Sequence, residues 1–251
     1  MREDNVIKRH CVEIERCNQR GGRMLSVVDL LEAGTITPEL AAYALAAIGR
    51  GASFLVGARP GGVGKTTVMC ALLNFVPRDV ELAPADGLEA IAAGMESAAP
   101  RRCYICHEIG SGPYYAYLWG EELRAYFELP SAGHTLATNL HADTYEEARN
   151  QICTENSVAE TVLRRVQLMF FLSVRRSGRS ATRRIETVWE SGGSAAHKQL
   201  FSADGPNPGL KPSSLVSAQE LARARQALEQ ILKSGARTIE EVRSRIIRLW
   251  K

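Results

Sequence analysis

Ala52-Ser53-Phe54-Leu55-Val56-Gly57-Ala58-Arg59-Pro60-Gly61-Gly62-Val63-Gly64-Lys65-Thr66-Thr67 is the stretch on which the reading of this chain turns. Its first six residues are a short apolar run between glycines, the mark of a strand buried on both faces of a parallel sheet. A glycine-rich turn follows, and Lys65-Thr66 opens a helix that runs to about Leu73. A strand, such a turn and a helix beginning with Lys-Thr describe a mechanism as well as a pattern. Glycines let backbone N–H groups turn inward on phosphate oxygens, and the helix N-terminus adds partial positive charge. Gly61, Gly62, Val63, Gly64, Lys65, Thr66 and Thr67 are therefore the expected phosphate cradle. Lys65 is expected to reach the β- and γ-phosphates of a nucleotide, and the Thr66 hydroxyl to ligate Mg²⁺. The strict pattern G-x-x-x-x-G-K-[ST] has glycine where this chain has Arg59, a departure that concerns the shape of the loop.

Outward from the loop, apolar runs and helical spacings alternate. Residues 25–50 read as helical, with Thr37 capping a second helix, Pro38 in its first turn, and Leu40, Tyr43, Ala44 and Ile48 on one stripe. Val80-Glu81-Leu82 is a second strand, and an alanine-rich helix is expected over 86–97. Cys103-Tyr104-Ile105-Cys106 is a third, ending in His107-Glu108. A helix is expected over 114–128, then a strand from His134 to Leu140. Thr144 to Glu147 has the form of a capping box. Val166 to Ser173, Ile185 to Trp189 and Gln199 to Phe201 read as later strands. Gly205-Pro206-Asn207-Pro208-Gly209 marks a linker. Ser217 with Glu220, and Thr238 with Glu241, open two amphipathic helices. The fold class that follows is α/β, a RecA-like, mostly parallel sheet flanked by helices. The expected units are a polar arm over 1–24, a P-loop domain over 25–204, and a linker with a small helical appendage over 205–251.

Bulk composition sets outer bounds. The chain has 251 residues, 45% hydrophobic and 24% charged, with a net charge of +3. That charge is too mild to indicate nucleic acid. No apolar run approaches a membrane span, and the start lacks a signal-peptide core. A cytoplasmic protein is expected, with any membrane role arising through partners. Of the six cysteines, Cys103 and Cys106 stand at CxxC spacing before His107. A zinc or redox site is one reading. No second ligand pair follows at suitable spacing, so buried strand cysteines are the favoured one.

Beyond the loop, the chain resembles the type II/type IV secretion and pilus assembly ATPase superfamily, nearest to the branch serving tight-adherence pili and type IV secretion. Leu30-Leu31-Glu32-Ala33-Gly34-Thr35-Ile36-Thr37, followed by a helix and the loop strand, resembles that branch. Ala132-Gly133-His134 is similar to its Thr-Gly-His, and Asn139-Leu140-His141-Ala142-Asp143 to its histidine box. The likeness covers about residues 25–203. It implies that Glu108 is a catalytic glutamate acting on the attacking water, that His141 reports on the γ-phosphate, and that His134 serves either the site or the packing. Glu81 and Asp86 are the candidates for the family's acidic box, with solvated acids as the other reading. Arg101, Arg102, Arg175, Arg176 and Arg179 are candidates for its arginines. The resemblance also implies a homo-oligomer, a hexamer by preference, working with membrane-embedded secretion or pilus components.

The departures are specific. The family's N-terminal domain is absent or reduced to 1–24, His107 replaces a glycine, and Gly110-Ser111 replaces Arg-Asp. Two other functions stay open: a partitioning-type ATPase dimer, whose signature lysine falls on Pro60 here, and a scaffold that binds ATP without turnover.

Overall fold

The computed structural model describes residues 2–18, 21–59, 61–96, 99–177 and 180–250, the side chains of Arg2, Glu3, Arg176, Ser177 and Ser180 excepted. In chain order the elements are α1 (Arg2–Arg16), α2 (Val27–Glu32), α3 (Pro38–Gly49), β1 (Phe54–Gly57), α4 (Lys65–Leu73), β2 (Glu81–Pro84), α5 (Gly87–Gly94), β3 (Arg102–Ile109), β4 (Tyr117–Leu118), α6 (Glu121–Glu128), β5 (Thr135–Leu140), α7 (Tyr145–Arg149), α8 (Glu160–Leu163), β6 (Leu168–Ser177), β7 (Ser180–Glu190), β8 (Lys198–Ser202), β9 (Gly209–Leu210), α9 (Ala218–Lys233) and α10 (Ile239–Leu249).

The strands form one sheet in the order β2-β3-β5-β1-β6-β7-β8-β9, with β4 also on β3. The half from β2 to β6 is parallel, while β7, β8 and β9 continue it antiparallel. This is the expected α/β class, a mostly parallel sheet flanked by helices. The β6–β7 pair is longer than the apolar pattern alone suggests, because the hairpin runs on past Val174 through the mostly polar residues 175–177 and 180–184.

Alternation along the strands sorts the core into two layers. Phe54, Val56, Cys103, Ile105 and Phe170 join one apolar cluster with α1 to α4, α9 and α10. Leu55, Tyr104, Cys106, Met169 and Phe171 join the other, with α6, α7, α8 and Ile91 of α5. Cys103 and Cys106, three apart on a strand, therefore face opposite layers. They are buried strand cysteines, and burial pushes both thiols up to about 12.

Local chemistry sets the helix starts. Thr37 Oγ1 accepts from Leu40 N, and Ser217 with Glu220 and Thr238 with Glu241 are complete capping boxes. At α7 only half of the box sits on the cap residue: Thr144 Oγ1 accepts from Glu147 N, while Glu147 Oε2 takes Asp143 N at 2.9 Å. The helix expected over 114–128 begins only at Glu121. Gly120, with φ of +61°, and Ala116, with φ of +53°, break the run, and Tyr117–Leu118 pairs with β3 instead.

Residues 2–16, expected as part of a polar arm, form a full helix whose Ile7, Cys11 and Ile14 enter the core. Its His10 Nε2 meets Leu73 O at 3.1 Å, at the C-terminal end of α4. From the far end of the chain, Arg243 donates to Asn74 O at 2.7 Å and to Val76 O. Arg243 is 1% exposed, and burial lowers it to about 10. Two distant helices thus satisfy the carbonyls that α4 leaves open at its C-terminal end.

Candidate functional site

The glycine-rich loop lies where β1 hands over to α4. Gly62 and Gly64 have φ of +79° and +107°, left-handed backbone that side-chain-bearing residues seldom adopt. Gly64 provides no side-chain cap for α4, and the helical ladder starts with Val68 N on Gly64 O at 2.9 Å. The amides of Lys65, Thr66 and Thr67 precede that first bond. An uncapped helix start beneath left-handed glycines is the geometry that receives an anion.

Three candidate site residues converge at this point from separate elements. Lys65, 8% exposed, places Nζ 3.4 Å from Glu108 Oε2 and 3.2 Å from the Ala58 carbonyl it donates to. Glu108 comes from the end of β3 and His141 from just beyond β5. His141 Nε2 stands 3.7 Å from Glu108 Oε2. His141 Nδ1 lies 2.8 Å from Arg59 O and 3.2 Å from Lys65 Nζ. It cannot donate to the carbonyl and accept from the ammonium at once, and the shorter contact makes it a donor to Arg59 O. Glu108 Oε1 is buried with no protein partner. Burial raises the Glu108 carboxyl above its ordinary value, opposed by the nearby Lys65 and His141 charges.

The loop's departure at Arg59 has a structural role. Arg59 N donates to Asp143 Oδ1 at 2.7 Å, and its guanidinium pairs with Glu147 at 2.8 Å. With the His141–Arg59 bond, these contacts strap the loop to the His141–Asp143 segment. Gly57 permits this approach, since a Cβ there would stand 2.6 Å from Ala142 O and 2.8 Å from the Phe171 ring.

The cleft over the loop has a volume of about 720 Å³. Gly61 to Thr67 form its floor, with Glu108, His141 and Tyr117 beside them, and the segments 21–25 and 29–35 form a wall. The β6–β7 hairpin supplies Ala181, Thr182 and Arg183. Ile185 N donates to Thr35 O at 2.8 Å, which joins hairpin and wall. Arg183 is exposed, and its Cδ lies 3.6 Å from where a Gly64 side chain would begin. Sequence reasoning missed this arginine, because only the strand register shows which hairpin residue overhangs the loop.

Other expected site residues lie elsewhere. His134 is a correction: it precedes β5 at the end opposite His141, roughly 20 Å away at strand rise. It is 4% exposed, accepts from Arg102 N on Nδ1, meets Gly94 O through Nε2 at 2.7 Å and packs edge-on against Tyr104. Both ring nitrogens are thus engaged with backbone, and the role is packing. Arg101 reaches Gly51 at that same far end. Glu81 is exposed on β2, 3.9 Å from Arg9, and Asp86 faces Ala116 N at 3.4 Å. Arg175 pairs with Asp204 on the hairpin. Arg179 and Pro60 lie outside the described residues, as does the side chain of Arg176.

The residues fit a bound nucleoside triphosphate and its metal. Open helix amides, a buried ammonium and an unpartnered carboxylate oxygen face one cleft. Among the described residues no three His, Cys, Asp or Glu side chains converge on a metal position. A Mg²⁺ ion would therefore be held by the phosphates and the Thr66 hydroxyl, in keeping with its sparse protein ligation.

No protein-family model and no curated protein matches the chain. Among solved structures it is similar to the VirB11 ATPase from the Brucella suis type IV secretion system in complex with sulphate, at 18% identity and TM-score 0.44, covering 65% of this chain and 54% of that one. It is also similar to the ATPase DotB of Yersinia pseudotuberculosis, at 9% identity and TM-score 0.47, covering 90% and 63%. A third likeness is to DotB of Legionella pneumophila, at 11% identity and TM-score 0.39, covering 80% and 57%. The chain is thus similar to these ATPases at TM-scores below one half, and it spans less than two thirds of the length of each.

Proposed function

We propose that the chain binds Mg²⁺-ATP on the Gly61–Thr67 loop, hydrolyses it, and works as the ATPase motor of a secretion or pilus assembly system. One observation carries this reading. The Lys65 ammonium and the Glu108 carboxylate meet at 3.4 Å over an uncapped helix start with left-handed glycines. The loop amides and Lys65 bind and orient the phosphates. Lys65 exchanges its contact with Glu108 for a phosphate oxygen. Glu108, freed from Lys65 and held by its strand, accepts a proton from the attacking water. His141 is fixed by Arg59 O beside both groups and registers the terminal phosphate. Bound Mg²⁺ supplies charge neutralisation on the phosphate oxygens.

The motor role rests on the order of motifs around the loop, namely Leu30 to Thr37, Glu108 and the segment Asn139 to Asp143. A homo-oligomer, a hexamer by preference, and membrane-embedded partners belong to the same proposal, with ATP as substrate and a cytoplasmic setting. The test is Mg²⁺-ATP turnover by the wild type and Glu108→Gln, with mass measured on the same samples. Turnover in a ring-sized species, lost in the variant, supports the motor. Turnover by a dimer moves the reading to a partitioning-type ATPase. Tight binding without turnover in every assembled state moves it to a nucleotide-dependent scaffold.

A further inference from the structure

Cys17, Cys70 and His107 form a cluster that nucleotide chemistry does not use. Cys17 ends the α1 segment, and Cys70 sits within α4, five residues after Lys65. Both are buried and reduced. They converge on one carbonyl: Ile14 O accepts from Cys17 N at 3.1 Å and from Cys70 Sγ at 3.8 Å. Cys17 Sγ donates to the neighbouring Glu13 O at 3.5 Å, so the two thiols rest on successive carbonyls of α1. Alternation along β3 puts His107 on the face it shares with Cys103 and Ile105, where α1 and α4 pack. His107 Nδ1 is buried with no hydrogen-bond partner.

The two cysteines are not equivalent. Contacts from Cys70 and His107 pull the Cys17 thiol below its ordinary range, whereas its neighbour and burial push Cys70 well above. Cys17 also lines the cleft that holds Gly61–Thr67, and Cys70 does not. A small molecule in that cleft meets Cys17 first, with Cys70 behind it.

We propose that Cys17 and Cys70 are a reactive thiol pair, Cys17 attacking and Cys70 resolving, oxidised by a low-molecular-weight disulfide entering through the cleft. Cys17 gives up its proton to water in the cleft, and its sulfur attacks one sulfur of the disulfide. The small disulfide's S–S bond breaks, one thiolate leaves and takes up a proton from water, and a mixed disulfide forms on Cys17. Cys70 sulfur then attacks Cys17 sulfur. The mixed S–S bond breaks, the second small thiol leaves with the Cys70 proton, and the Cys17–Cys70 bond forms. Two protein thiols are oxidised, and one small disulfide is reduced to two thiols. A mixed disulfide on Cys17 stands in the cleft beside the phosphate loop. Its resolution by Cys70 clears the cleft and ties α1 to the helix that begins at Lys65. The proposal goes beyond the nucleotide reading and does not depend on it.

The test uses the full chain and oxidised glutathione, followed by non-reducing peptide mapping. The expected product in the wild type is a peptide pair joined through Cys17 and Cys70, released by dithiothreitol. In Cys70→Ser, glutathione stays on Cys17, and in Cys17→Ser neither product forms. Free thiols in the treated wild type, a bridge to Cys103, or a lasting glutathione adduct on wild-type Cys17 each overturns the proposal. The wild-type map decides the matter even if a variant fails to fold. No hydrolysis is read, so the outcome is separate from that of the nucleotide proposal.

Discussion

Lys65 Nζ and Glu108 Oε2 stand 3.4 Å apart, with both side chains less than a tenth exposed. The pair joins the start of α4 to the end of β3, two elements separated in sequence by a whole strand–helix unit. Two opposite charges in such a place are costly to hold without water, unless a ligand is to take one of them over. Glu108→Gln removes the proton acceptor while leaving the shape. The account predicts turnover lowered by about 10²- to 10⁴-fold, the usual share of a general base, with ATP still bound. Single-turnover kinetics alongside equilibrium binding check this, and near wild-type turnover would remove Glu108 from the chemistry.

The same pair sets a pH dependence. Burial raises the Glu108 carboxyl, with Lys65 and His141 opposing it. A base must be ionised to act, so activity is lost as pH falls through the raised value. The acid limb of kcat/KM should therefore lie above the ordinary glutamate value of 4.5, and it should vanish from the residual activity of Glu108→Gln. A limb at or below that value in the wild type would show that burial does not govern the group.

Arg183 overhangs Gly64 from the hairpin and is exposed. Arg183→Ala should weaken ATP binding roughly ten-fold, the factor that about 1.4 kcal/mol carries, without changing the melting temperature by more than a degree or two. Calorimetry against ATP and ADP, with thermal unfolding of the same samples, separates a phosphate contact from a structural one. Unchanged affinity would place the arginine outside the site.

Arg243 holds the carbonyls beyond the end of α4 from a helix at the other end of the chain. Arg243→Met leaves those carbonyls buried and unbonded, at about 1–3 kcal/mol for each group orphaned. For a domain of this size the melting temperature should fall by roughly 5–10 °C. A smaller shift than a degree would mean that water replaces the guanidinium.

His10 meets α4 beside Arg243, and burial holds its ring well below the ordinary value of 6.5. His197 is lowered for the same reason. A histidine lowered in the folded state stays neutral while its unfolded counterpart takes a proton. Stability from this source is whole above pH 6.5 and is lost as pH falls from there toward the folded value, by at most about 1.4 kcal/mol per pH unit for each ring. Thermal unfolding between pH 7 and 5 should show that slope, reduced in His10→Asn. An equal slope in the variant would contradict the assignment.

The strand–loop–helix at 52–73 was legible because the apolar run, the glycines and Lys65 each carry their signal in the local chain. Glu108 and His141 were legible through motif order, and the structure brings both to Lys65. His134 stayed open between the site and the packing because a motif match does not say what the ring touches, and the structure holds both its nitrogens on backbone atoms. The α1 helix was passed over, although Ile7, Cys11 and Ile14 fall at helical spacing, because Lys8, Arg9 and Glu13 between them make the stretch read as polar. Arg183 had no local mark at all: Thr182-Arg183-Arg184 reads as any basic turn until the β6–β7 register is known. The same holds for Arg243, whose partners lie at the opposite end of the chain.

The central claim is that Gly61–Thr67 binds nucleotide phosphates, and calorimetric titration of Mg²⁺-ATP into the wild type and Lys65→Ala tests it most directly. The account predicts Mg²⁺-dependent binding to the wild type, weakened about 100-fold or more in the variant, as the loss of a buried charged contact of about 3 kcal/mol requires. Equal affinity in the two proteins, or no binding by a folded wild type, would contradict it.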